Sequence, residues 1–211
     1  MLKSPPAALR LSTFLAALLS LAALLGLAVQ FWAQLDRMPE SLVALWALLR
    51  YFTVLTNAFV AVVFFQAVFS KPPAILLYGT LLCAMLVGVV YVLLLRDLPL
   101  NSSGDGIANL LLHHATPLLA LAYLLLGAPR GLLNWRAPLI WTAIPIAYVL
   151  YAFARAAADG QYPYPFLNVA KLGAGQVIVN CIAIGGGFTL AGFGLVALDK
   201  RLAARPGRTQ S

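Results

Sequence analysis

Six apolar runs, over 10–34, 46–69, 73–95, 106–127, 137–156 and 175–198, constrain this chain more than any other feature. Each reaches the length of about 20 residues that crosses the hydrocarbon core of a bilayer as a helix. Inside lipid every backbone N–H and C=O must find its partner within the segment, and for runs of this kind only the α-helix provides that. The expectation is an all-α polytopic membrane protein, one domain (1–211) built as a bundle of six transmembrane helices. The first run is too long for the core of a secretory signal and has no convincing small-residue cleavage site, so it is read as a spanning helix. Composition agrees: 63% of residues are hydrophobic and 9% charged, against about 25% charged in soluble proteins. No soluble domain, linker or low-complexity segment is left over.

A net charge of +8 raises the question of nucleic acid, and its distribution answers it. With a cytoplasmic N-terminus, the inner segments carry Lys3, Arg10, Lys71, Arg130, Arg136, Lys200, Arg201, Arg205 and Arg208 against Asp199 alone. The outer segments carry Arg37, Arg50, Arg96, Arg155 and Lys171 against Asp36, Glu40, Asp97, Asp105 and Asp159. The excess falls on one side, as the positive-inside rule requires, so both termini are expected in the cytoplasm, with a cell (inner) membrane as the location. The expected partners are the bilayer and a lipid substrate, with no nucleic acid; the sequence leaves the oligomeric state open. Cys83 and Cys181 sit alone in apolar segments and read as packing residues.

Polar side chains inside the spans are few and concentrated. The second run opens "LLRYFTVLTNAFV", with Arg50, Thr53, Thr56 and Asn57, and the fourth holds "NLLLHHATPLL", with Asn109, His113, His114 and Thr116. Ionisable groups at membrane depth mark functional sites by default. Thr53 and Asn57 are four residues apart and share a helical face, as do Asn109 and His113. His113 and His114 point about 100° apart, so one of them at most faces a common site. Counted from the starts of their runs, Thr53 and His113 lie at equal depth, about 10 Å below the outer boundary. Each residue also has a plainer reading. A membrane threonine bonds its own preceding carbonyl, an asparagine bridges to a neighbouring helix, and Arg50 snorkels to the headgroups. Gly185–Gly187, Gly192 and Gly194 read as a close-packing face. The outer segment "GQYPYPFLNVAKLGAG" places Tyr162, Tyr164 and Phe166 either in an interfacial aromatic belt or in a lid over a site.

Taken together, "RYFTVLTN", "NLLLHHATPLL" and "YPYPFLNV…LGAG", in this order within a multi-helix membrane layout, resemble the androgen-induced-gene and androgen-dependent TFPI-regulating protein family. Its members are integral-membrane threonine hydrolases of fatty acid esters of hydroxy fatty acids. The resemblance implies a hydrolase with Thr53 as nucleophile and His113 as its partner. The histidine-to-proline spacing is one residue shorter than in the family, which keeps His114 as an alternative, with Thr56 as the alternative nucleophile.

The chemistry fits that implication. A threonine hydroxyl becomes a nucleophile once a base takes its proton, and neutral histidine is the usual base near neutral pH. Asn57 or Asn109 is placed to donate to an oxyanion or to orient the histidine, Arg50 to meet a fatty-acid carboxylate, and Tyr162, Tyr164 and Phe166 to line the substrate. Neither helix offers an acidic third member. No metal or cofactor is implied: two adjacent histidines cannot clasp one haem within a single chain. The competing expectation is a non-catalytic lipid-binding scaffold or transporter.

Overall fold

The computed structural model describes residues 7–100 and 102–204; Lys3, Arg205 and Arg208, counted above among the inner charges, lie outside them. The elements are α1 (Ala7–Leu35), α2 (Ser41–Leu48), α3 (Phe52–Phe69) and α4 (Ala74–Val90), which runs into a π-helical turn at Tyr91–Leu95. Then follow α5 (Ser103–Asn109), a second π-helical turn (Leu110–Ala115), α6 (Thr116–Leu126), α7 (Ala137–Asp159), a 3₁₀ turn (Pro165–Leu167) and α8 (Val169–Ala203). No strand occurs among the described residues. Six helical segments are long and apolar enough to span a bilayer, so this is an all-α, polytopic integral membrane protein.

Five of the hydrophobic runs become spans with modest changes at their ends, but the run 46–69 does not. Its first residues belong to α2, and the span begins only at Phe52. The break is made by a tightened last turn, in which Arg50 N donates to Ala47 O (3.3 Å) and Tyr51 N to Leu48 O (3.1 Å). Tyr51 is then extended at φ −91°, ψ 131°. No glycine or proline marks this point, so hydrophobicity alone merges the two helices. The equal-depth count therefore started from the wrong residue. Thr53 is the second residue of its span, whereas His113 lies almost three turns into the span that starts at Ser103.

The chain divides into two compact units, one ending at Ala128 and the other beginning at Pro129. In the first, α1 packs on α3, α5 and α6, while α4 packs on α3 and α6. The inward face of α1 carries Ala16, Leu19, Ser20 and Ala23, spaced as one helical stripe. Small residues let backbones approach, and Ser20 Oγ donates to the Ala61 carbonyl of α3 at 2.8 Å. Leu21, Leu24 and Leu25 on the same helix are exposed. Because lipid is as apolar as leucine, close fit and a few polar ties hold these helices together, not transfer from water. At the other end of α1, Arg37 grips the Asp105 carboxylate with two donors, at 2.5 and 3.1 Å. Gln30 Nε2 and Ser102 Oγ each donate to the same carboxylate at 3.1 Å. Ser102 also caps α5 by accepting from Asp105 N.

In the second unit α7 packs on α8, with Thr142 and Thr189 hydrogen-bonded across them at 2.8 Å. Asp199, fully buried on α8, accepts from Gly131 N (2.8 Å) and Leu133 N (3.1 Å), tying the preceding loop down. Gly173 interrupts the start of α8 at φ 76°, ψ 155°, a conformation that glycine alone adopts without strain. Of the expected close-packing glycines only Gly192 is buried inside this unit. No side chain of the unit stands within 4 Å of a Cβ built at Gly185, Gly186, Gly187 or Gly194. The helix instead buries Val177, Phe188, Gly192, Leu195 and Val196.

Candidate active site

Pro117 sets the local geometry. Lacking an N–H, it leaves the His113 carbonyl four residues back without its helical donor, and its ring crowds that oxygen. The chain widens there into the π-helical turn Leu110–Ala115, closed by Thr116 N donating to Leu111 O, five residues back. Single π turns of this kind are rare and recur at functional sites. Two glycines let neighbouring helices come up against it. A Cβ on Gly26 of α1 would stand 2.5 Å from Leu112 Cδ2, and one on Gly88 of α4 would stand 2.7 Å from Pro117 Cβ.

From this turn His113 reaches α3, where its Nε2 lies 3.2 Å from Thr53 Oγ1. Thr53 is 7% exposed, so its hydroxyl is held away from bulk solvent in the first turn of its helix. Among the described residues His114 and Thr56 make no such contact: the ring of His114 meets Tyr91 edge-on at 5.1 Å, and Thr56 is buried further along α3. The bond runs either way, since a histidine nitrogen donates or accepts according to tautomer. If Nε2 accepts the threonine proton, the neutral ring carries its own proton on Nδ1. That atom is buried, and no side chain among the described residues hydrogen-bonds it. Among the described residues no carboxylate holds it: Asp105, earlier in the same span, is engaged by Arg37, Gln30 and Ser102.

The two asparagines are committed differently from expectation. Asn57 Nδ2 donates to the carbonyl of Thr53 at 2.9 Å, so it braces the backbone under the threonine; among the described residues neither asparagine side chain hydrogen-bonds the histidine ring. Among the described residues the Asn57 Oδ1 is buried without a hydrogen-bond partner, as is the hydroxyl of Thr116. Asn109 Nδ2 donates to the hydroxyl of Tyr91 at 2.6 Å. Arg50, in the turn between α2 and α3, is 6% exposed, so it does not snorkel out of the protein.

Tyr91 was not singled out from the sequence. It opens the other π-helical turn, at the end of α4, and its ring lies 4.6 Å from that of His113 at an interplanar angle of 32°. The signal was present but faint: one of two tyrosines in a largely apolar span, near its C-terminal end. An aromatic ring in lipid reads as hydrophobic bulk unless a partner for its hydroxyl is recognised.

Tyr162, Tyr164 and Phe166 belong to the second unit. Tyr164 and Phe166 stack at 5.1 Å with nearly parallel rings, Tyr164 also meets Tyr148, and Tyr162 meets Phe153. Asn180 Nδ2 donates to the Phe166 carbonyl at 2.9 Å, fixing the 3₁₀ turn to α8. The aromatic segment is thus ordered by its own unit, with Tyr164 buried. Comparison of the chain with protein-family profiles, with characterised proteins and with solved structures gives no significant match.

Proposed function

We propose that this protein is an intramembrane lipid-ester hydrolase of the bacterial inner membrane, with Thr53 as nucleophile and His113 as general base. The observation that carries the reading is the 3.2 Å approach of Thr53 Oγ1 to His113 Nε2 within a water-poor helix bundle. That distance is the reach a base needs to take the hydroxyl proton. The resemblance of "RYFTVLTN" and "NLLLHHATPLL" to the threonine hydrolases named above supports the same pair and suggests fatty acid esters of hydroxy fatty acids as substrates.

In this mechanism Thr53 Oγ1 attacks the ester carbonyl while its proton passes to His113 Nε2. The tetrahedral oxyanion collapses, the C–O bond to the alcohol breaks, and the leaving hydroxy acid takes the proton from His113. Water, deprotonated by the same nitrogen, then attacks the acyl-threonine, releasing the fatty acid and restoring Thr53. Arg50 is the candidate for the substrate carboxylate.

A non-catalytic scaffold is the competing reading, and one observation favours it: no acidic residue supports His113, so the Thr53–His113 bond can serve as an interhelical tie. Labelling by a fluorophosphonate probe separates the two. The wild-type protein should form a covalent adduct that Thr53→Ala abolishes. Equal labelling of both proteins, or of neither, sinks the hydrolase reading.

A further inference from the structure

We infer that Tyr91 is a positioning residue that fixes the imidazole of His113 with Nε2 on Thr53, in the place where hydrolytic triads use a carboxylate. The inference rests on the hydrolase reading above and adds to it the group that orients the base. A histidine that acts as a base must present one particular nitrogen, and its tautomer and ring angle are ordinarily set by a hydrogen bond to the other nitrogen. Here no side chain among the described residues hydrogen-bonds that second nitrogen, Nδ1; the Asn109 carbonyl one turn back acts on the ring, and a stacking contact holds its plane.

Tyr91 supplies that contact. Its ring lies 4.6 Å from the His113 ring, tilted by 32°, within the 4.5–7 Å range of favourable aromatic pairs. The same ring also meets that of His114 at 5.1 Å in an edge arrangement. Its far end is pinned as well, because the hydroxyl accepts from Asn109 Nδ2 at 2.6 Å. Asn109 is one turn before His113 and shares its face. Tyr91, Asn109 and His113 therefore form a closed arrangement: one side chain of the fourth span holds the tyrosine tip, and the tyrosine face holds the next side chain of that span. Tyr91 belongs to one π-helical turn and His113 to the other. In each turn the extra residue moves the side chains that follow out of their α-helical positions.

The test reads the ring and the reaction separately. With only two histidines in the chain, histidine-selective ¹⁵N labelling of the full-length protein in lipid nanodiscs gives two sets of ring signals, assigned with His114→Gln. At pH 8, His113 in the wild type should show a single tautomer protonated on Nδ1. Tyr91→Leu, which removes the stack, should replace it by exchange between tautomers and lower kcat for a long-chain lipid ester by about 10–10²-fold, the scale of a misplaced reacting group. KM should change little. Tyr91→Phe keeps the ring and should retain the tautomer with a loss of a few-fold. Asn109→Ala, which frees the tyrosine tip, should broaden the His113 signals and serves as the second variant if Tyr91→Leu does not fold. Unchanged His113 signals in Tyr91→Leu or, where that variant fails to fold, in Asn109→Ala overturn the inference. So does a Tyr91→Phe protein as impaired as Tyr91→Leu. A wild-type protein with a fixed tautomer that hydrolyses no ester sinks the hydrolase reading instead, leaving the orienting role of Tyr91 to be judged by the spectra alone.

Discussion

Gly88 of α4 lies against Pro117 of the fourth span so closely that a Cβ at position 88 would stand 2.7 Å from the proline Cβ. The proline ring is rigid and forces the π turn that carries His113, so it cannot yield as a flexible side chain would. Replacing a helical glycine by alanine normally stabilises by up to about 1 kcal/mol, whereas overpacking costs about 1–3 kcal/mol. Overpacking should win here. Gly88→Ala is expected to lower the melting temperature in detergent, and Gly88→Leu to lower it further. A Gly88→Ala protein more stable than wild type would show that α4 is not clamped against the turn.

Arg37 and Asp105 tie the end of α1 to the start of the span that bears His113. The hydrogen bond that Arg37 donates to Asp105 raises the Arg37 pKa above its ordinary value, with burial opposing and the attraction of the carboxylate adding to it. A raised pKa means that the stabilisation is fully present below the unfolded value and is lost only as pH rises through the folded one. The tie should therefore be insensitive to pH across the neutral and mildly alkaline range. Arg37→Ala leaves the carboxylate with Gln30 and Ser102 as its remaining donors and should cost about 1–3 kcal/mol. Urea or thermal unfolding in detergent at pH 7 and pH 9 measures this, with equal losses expected at both. A loss confined to pH 7 would contradict the assignment.

The one-sided excess of positive charge predicts that both termini lie in the cytoplasm. An alkaline phosphatase fusion after the last residue should be inactive, and a fluorescent protein at the same position should fluoresce. An active phosphatase fusion would invert the orientation and put Thr53 on the cytoplasmic half of the membrane.

How far the sequence revealed this structure follows from the physics of lipid. Span number was readable because length and hydropathy alone decide which segments cross. The face each span turns inward was not, since Leu21 toward lipid and Leu19 toward protein are equally apolar. The pairing of α3 with the fourth span was suggested by the spacings Thr53/Asn57 and Asn109/His113. The depth count behind it began at the wrong helix start, because the break after α2 leaves no glycine or proline to see, yet Thr53 and His113 do meet, at 3.2 Å. His113 could not be separated from His114 by helical angle alone; the π turn and Tyr91 make that distinction, and neither has a strong sequence signal.

The most direct measurement is the rate of hydrolysis of a long-chain fatty acid ester of a hydroxy fatty acid by purified protein in nanodiscs, across five proteins. Thr53→Ala and His113→Ala should each lower the rate by about 10²–10⁴-fold, the usual cost of losing a catalytic proton acceptor or its nucleophile. The double variant should be little worse than either single one, because residues acting as one unit are not additive. His114→Ala should stay near the wild-type rate. Hydrolysis that survives both single substitutions, or that dies with His114→Ala while His113→Ala spares it, would contradict the assignment of Thr53 and His113 as the catalytic pair.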